Sequence, residues 1–197
     1  MARVLALDIG TSSVRACRFD ETAEEHGQLA RRDYPGENDP GRVLGHARAA
    51  IEEAGSADWV DAVGASCFGH SLLALDARGR PLTPILSLRD TRSADAADRL
   101  LSRLDNAAVH TRTGCQIHTS YWPAKLAWLA QEEPEVFRSA HRFVSFCDYL
   151  YAQLLGREVG AGISIASATG LVDLSTRTWD EELLDTLGLD AERLPAI

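Results

Sequence analysis

Asp8, Gly10, Thr11, Ser12, Ser13 and Arg15 fall within one short stretch, Leu5-Ala6-Leu7-Asp8-Ile9-Gly10-Thr11-Ser12-Ser13-Val14-Arg15. These residue types suit phosphate chemistry. A carboxylate at the end of a buried strand can hold a hydrated Mg²⁺. The backbone amides and hydroxyls of Thr11, Ser12 and Ser13 are donors that can converge on a phosphate. Arg15 adds positive charge beside it. Gly10 permits a positive φ and a close approach of backbone to ligand. The same residues also fit an ordinary β-hairpin with a polar turn.

A second stretch with chemical potential runs from Val63 to Arg92. An apolar run ends at Ser66, and Cys67-Phe68-Gly69-His70-Ser71 reads as a turn at its C-terminal edge, where ligands collect in α/β folds. His70 there can hydrogen-bond a ligand hydroxyl or serve as a structural histidine. Asp90 and Arg92 can brace a polyol or an acid. They also fit a helix N-cap with a surface ion pair.

The elements that must position these groups alternate between strands and helices. Val4–Ile9 and Val14–Phe19 read as strands joined by the tight turn Gly10–Ser13. Gln28–Tyr34 reads as a third strand after a turn around Glu24–Gly27. Asp39-Pro40 starts a helix that runs through Ala54 and stops at Gly55. Val60–Ser66 reads as a buried strand and Ser71–Asp76 as another, with a turn over Ala77–Pro81. Asp90–Leu104 reads as a helix with Ala94, Ala97, Leu100, Leu101 and Leu104 on one face. Further helices follow Pro123 and Pro134 and cover Ser145–Leu155 and Asp180–Leu187, the last two ended by Gly156 and Gly188. Three early strands followed by alternation imply an α/β domain whose mixed sheet begins with three antiparallel strands. No G-x-G-x-x-G follows the first strand, so the pattern is not that of a dinucleotide-binding domain.

Composition narrows the function further. The 197 residues are 45% hydrophobic, enough for a substantial core, and carry a formal net charge of −9 with no Lys/Arg run. That balance disfavours nucleic acid and anionic membrane as partners. No apolar run approaches a membrane span, and the N-terminus does not read as a signal peptide. Cys17, Cys67, Cys115 and Cys147 are scattered without a C-x-x-C, and read as reduced, half-buried thiols of a cytoplasmic protein.

Several stretches together resemble one family. Leu5–Asp20, Gly64–Ser93, Thr113–Leu129, Phe146–Gly156 and Ile163–Leu184 are similar to segments of the N-terminal domain of the FGGY carbohydrate kinases. The likeness runs from Val4 to about Pro195. Thr113–His118 and Ala166-Ser167-Ala168 look most like gluconate kinases, then xylulose kinases. The resemblance implies a ribonuclease-H-like fold of the actin, Hsp70 and sugar kinase superfamily, with a mixed sheet flanked by helices. It implies transfer of the γ-phosphate of ATP, with Mg²⁺, to a hydroxyl of a small-molecule sugar or sugar acid. Gluconate is the first choice, then xylulose or another ketose or polyol. Matched residue by residue, Asp8 is the metal-associated aspartate, and Gly10, Thr11, Ser12 and Ser13 form the phosphate loop. Arg15 approaches the transferred phosphoryl group. Gly69 and His70 touch the sugar, Asp90 and Arg92 form the adjacent segment, and His118 and Ser120 border the substrate pocket.

Two departures accompany the match. The family usually has Trp where Leu88 stands, and often a small or amide residue at Arg89; without that Trp a large wall near the substrate is missing. The family's general base, an aspartate in a Gly-rich segment, and its ATP-binding second domain are expected beyond Ile197. Asp173, Asp180, Asp185 and Asp190 lack Gly-rich flanks. A chain of this extent is expected to be inactive by itself. An apolar face normally covered by the remainder would favour self-association, such as a homodimer. Two other readings stay open: a nucleotide-dependent binding or regulatory protein on the same fold, and a noncatalytic single domain.

Overall fold

The computed structural model describes residues 3–55 and 60–197. They fall into two compact units, Met1–Phe68 and Gly69–Ile197.

The first unit is a four-stranded sheet with one helix against it. Strands β1 (Arg3–Ile9), β2 (Ser13–Asp20) and β3 (Glu25–Asp33) pair antiparallel in sequence. Helix α1 (Pro40–Ala54) returns the chain so that β4 (Ala62–Cys67) lies parallel to β1, giving the order β3-β2-β1-β4. Leu5, Leu7 and Ile9 alternate onto the buried face, as a period of two requires. Helix α1 packs on β2 and β3, and it buries Val43, Leu44, Ala47, Ala50 and Ala54. Its start is set by Asp39, whose side chain accepts from the Arg42 amide at 2.8 Å, with Pro40 in the first turn.

Three expectations need correction here. The turn after β2 comes earlier than Glu24–Gly27. The Asp20 carboxylate accepts from the amides of Thr22 and Glu24 and from the Thr22 hydroxyl, so the chain has reversed and β3 has begun by Glu25. A bulge between Ala16 and Arg18 takes up the resulting register shift. The parallel strand is Ala62–Cys67 rather than Val60–Ser66, and it is largely exposed rather than buried, because it forms the edge of this sheet. Gly10 does not take a positive φ.

The second unit is mainly helical. Strand β5 (Leu73–Leu75) pairs antiparallel with β6 (Arg142–Val144). Around this ribbon lie α2 (Ala94–Leu101), α3 (Asn106–Thr113), α4 (Trp122–Glu132), α5 (Pro134–Ser139), α6 (Phe146–Leu155) and α7 (Ile163–Ser167). A short hairpin of β7 (Val172–Asp173) and β8 (Thr178–Trp179) precedes α8 (Glu181–Leu187). One apolar core joins Leu72, Leu86, Leu100, Trp122, Leu126, Leu129, Phe143, Leu171 and Leu183.

The strand expected over Ser71–Asp76 is shorter, because Leu72 bridges to Leu86 instead of continuing the ribbon. The helix expected over Asp90–Leu104 is confined to Ala94–Leu101. Asp90 does not cap it: its carboxylate is occupied by Arg92 in the preceding turn, and Ser93 is the residue at the helix entrance. Leu101 is exposed rather than on the buried face, which consists of Ala96, Ala97 and Leu100. No disulfide joins the cysteines among the described residues; Cys67 and Cys115 are half-buried as expected, whereas Cys17 and Cys147 are buried.

Candidate active site

In the first unit, the β1–β2 turn carries the groups suited to phosphate. The Gly10 amide donates to the Ser13 carbonyl at 2.8 Å and closes the hairpin. A Cβ at Gly10 would stand 3.3 Å from that carbonyl oxygen, so close approach, not positive φ, explains the glycine. Thr11 and Ser12 are exposed, whereas Ser13 is buried at the start of β2. Asp8 and Arg15 are register partners on β1 and β2, and their side chains form an ion pair at 2.6 Å. The Asp8 side chain is 52% exposed. Arg15 engages its Oδ2.

Tyr34 holds this turn from behind. Its amide donates to the Ser12 carbonyl and its hydroxyl to the Gly10 carbonyl, each at 2.7 Å. Burial pushes the phenol well above its ordinary range, with Cys67 and Asp8 adding to the effect, so it remains a neutral donor. Only an aromatic residue just after β3 signals this in the sequence.

In the second unit, the residues expected on the sugar side come together around the start of α4. Trp122 anchors that end: its ring N–H donates to the Ser71 carbonyl at 2.8 Å and its amide to the Thr169 carbonyl at 2.9 Å. His70 adopts a left-handed backbone, φ 60°, which is uncommon outside glycine. Its Nδ1 lies 2.7 Å from the Ala168 carbonyl. A carbonyl only accepts, so Nδ1 carries a proton and Nε2 of the neutral ring is an acceptor. Gly69 precedes it; a Cβ there would meet only Ala168 at 4.0 Å, so sterics do not demand glycine.

His118 has the opposite polarity. Its Nδ1 accepts from the Ser120 amide at 3.2 Å and lies 2.9 Å from the Ser120 hydroxyl. In the neutral ring Nε2–H is then a donor. Both imidazoles stand edge-on to Tyr121, with ring centroids 5.1 Å away for His70 and 6.5 Å for His118. Asp90 takes the Arg92 guanidinium through both carboxylate oxygens, and that guanidinium lies 4.5 Å from the centroid of the Trp128 ring. Burial works against the Asp90 charge, but the hydrogen bonds from Arg92 outweigh it and hold the carboxyl below its ordinary range.

Lys125 was not singled out as a site residue from the sequence, where it reads as one basic residue on a helix. Its side chain is buried, and Nζ donates to the carbonyls of His70 (2.5 Å), Ser120 (2.8 Å) and Leu86 (3.2 Å). Burial pulls its pKa down to about 8, with Asp90 pulling partly back. A separate cavity of about 260 Å³, between Leu75, Val144, Tyr149 and Ala196, contains none of these residues.

Residues 3–197 match the N-terminal domain of the FGGY family of carbohydrate kinases. The chain belongs to that family. Among its relatives, the gluconokinase of Bacillus subtilis (strain 168) is 30% identical over 205 residues, covering 97% of this chain and 39% of that enzyme. The xylulose kinase of Streptomyces coelicolor is 34% identical over 204 residues, covering 98% of this chain and 42% of that enzyme. The crystal structure of gluconate kinase from Lactobacillus acidophilus superposes with a TM-score of 0.90 at 25% identity, over 100% of this chain and 42% of that one. The chain therefore spans about two fifths of the length of these relatives. Family membership brings the ribonuclease-H-like fold of sugar kinases, which the mixed sheet and its helix exhibit. Among the described residues, no helix is long and apolar enough to cross a membrane.

Proposed function

We propose that this chain is the sugar-binding N-terminal part of an ATP-dependent kinase acting on a sugar acid or ketose, with gluconate as the first choice. The observation that carries the reading is the match to one carbohydrate kinase family over residues 3–197. The gluconokinase and gluconate kinase relatives support gluconate over other acceptors. The ATP-binding domain and the aspartate that takes the proton of the acceptor hydroxyl are assigned to sequence beyond Ile197. The protein is assigned to the cytoplasm.

The residues present suit a nucleotide phosphate with Mg²⁺. Asp8 offers a half-exposed hard oxygen ligand at the mouth of a turn with exposed Thr11 and Ser12. Mg²⁺ usually keeps several waters and needs only one or two carboxylates. Asp8 would hold the ion, which would neutralise charge on the phosphates during transfer. Arg15 now pairs with Asp8, and exchanging that partner for a phosphate would put its charge beside the transferred group.

On the acceptor side, an imidazole acceptor (His70) and an imidazole donor (His118) can each engage a hydroxyl of a polyol. Each of the two imidazoles makes an edge contact with the Tyr121 ring. The test is a panel of sugars, sugar acids and polyols assayed for ADP release with the protein as encoded in its complete reading frame. Gluconate should give the highest kcat/KM. ADP release with none of them would overturn the kinase reading, and turnover of glycerol alone would overturn the choice of gluconate.

A further inference from the structure

Lys125 is among the most deeply buried side chains of the second unit, and it forms no salt bridge among the described residues. An ammonium has three donors and no acceptor. Here each donor is matched by one backbone carbonyl, and the three carbonyls belong to separate segments: the turn at His70, the segment at Leu86 that leads to Asp90, and the loop at Ser120 that precedes α4. These are the segments that carry His70, Asp90 and Arg92, and His118 with Ser120. A buried cation is costly unless its hydrogen bonds are satisfied; these three satisfy it, and removing the ammonium takes a shared donor from all three carbonyls, of which Leu86's still accepts from the Leu72 amide. His70 depends on it most, since its left-handed backbone is held through its own carbonyl by Lys125 and through its ring by Ala168.

We infer that Lys125 is a positioning residue for the acceptor. It does not touch the substrate; its ammonium gathers the three backbone segments whose side chains would contact the sugar, and so sets sugar affinity. This inference rests on the kinase reading above and names a residue that the sequence alone did not single out. It differs from a purely structural role in one respect: it predicts an effect on the sugar and not on the nucleotide.

The experiment compares wild type, Lys125→Met, Lys125→Gln and Lys125→Arg in the protein as encoded in its complete reading frame. It reads the KM for gluconate, the KM for ATP, kcat and thermal stability. Lys125→Met should raise the KM for gluconate by about tenfold or more while the KM for ATP stays within about twofold. Lys125→Gln, which keeps two donors, should fall between, and Lys125→Arg should recover most of the sugar affinity. A variant that melts at lower temperature but keeps the wild-type KM for gluconate overturns the inference. So does one in which both KM values rise together. If no variant is recovered folded, hydrogen exchange on the wild type decides. Gluconate should protect the segments around His70, Leu86 and Ser120 together, and protection of none or only one overturns the inference. Wild-type protein that turns over no sugar would defeat the functional reading, an outcome distinct from a working wild type matched by Lys125→Met.

Discussion

At the scale of single residues, Asp8 and His70 should fail in different ways. Asp8→Asn keeps the shape and removes a charge that, with Asp8 in its proposed metal-holding role, is needed most in the transition state. In the protein as encoded, kcat should fall on the order of a hundredfold. His70→Ala removes the acceptor proposed for a sugar hydroxyl and should act mainly on the KM for the sugar, by roughly the 1–3 kcal/mol of a lost buried hydrogen bond. Steady-state kinetics on both variants separate the two; a kcat for Asp8→Asn within about threefold of wild type would count against the phosphate-loop assignment. Lys125 gives a test on stability. Its folded pKa is about 8 against the ordinary 10.5, so between these values the unfolded chain holds a proton that the native chain has released. Stability should therefore rise with pH through that window, by on the order of 3 kcal/mol, and Lys125→Met should lack the rise. Urea denaturation of both proteins at about pH 7 and about pH 10 checks this; equal slopes for the two proteins would show that the buried amine is not responsible.

At the scale of elements, the local signals were readable where one side chain controls a boundary. Asp39-Pro40 and Gly55 bracket α1 as read, and Asp180 and Gly188 bracket α8. Asp39→Ala should cost about 1 kcal/mol in chemical denaturation, because the Arg42 amide loses its acceptor. Tyr34→Phe should leave the fold intact and loosen the Gly10 turn, which faster amide exchange at residues 10–13 would report. Boundaries were misread where a distant or competing partner decides. Asp90 reads as a cap until Arg92 is seen to occupy it. The early turn at Asp20 depends on three donors gathered by one carboxylate. Helices α3 and α7 and the β7–β8 hairpin are short and lack a long apolar period; α3 is marked only by its caps, Asp105 and Gly114. In the candidate site, the turn at Gly10 and the residue His70 stand out in the sequence because their types suit the proposed chemistry. Tyr34, Tyr121 and Lys125 do not, because their roles arise from contacts with carbonyls and rings far away in sequence.

At the scale of the whole molecule, the proposed function makes this chain one part of a two-domain kinase. Phosphoryl transfer needs acceptor and phosphate aligned with water excluded, which domain closure provides in enzymes of this kind. The 197-residue chain alone should therefore release no ADP in the presence of gluconate, ATP and Mg²⁺. Transfer of a phosphoryl group to a sugar hydroxyl is read by phosphorus NMR of the protein as encoded, incubated with ATP, Mg²⁺ and gluconate. The γ-phosphate signal should be replaced by that of a phosphomonoester of the sugar acid, in step with ADP. Growth of inorganic phosphate without a sugar phosphomonoester, for gluconate and for every other acceptor of the panel, would contradict it.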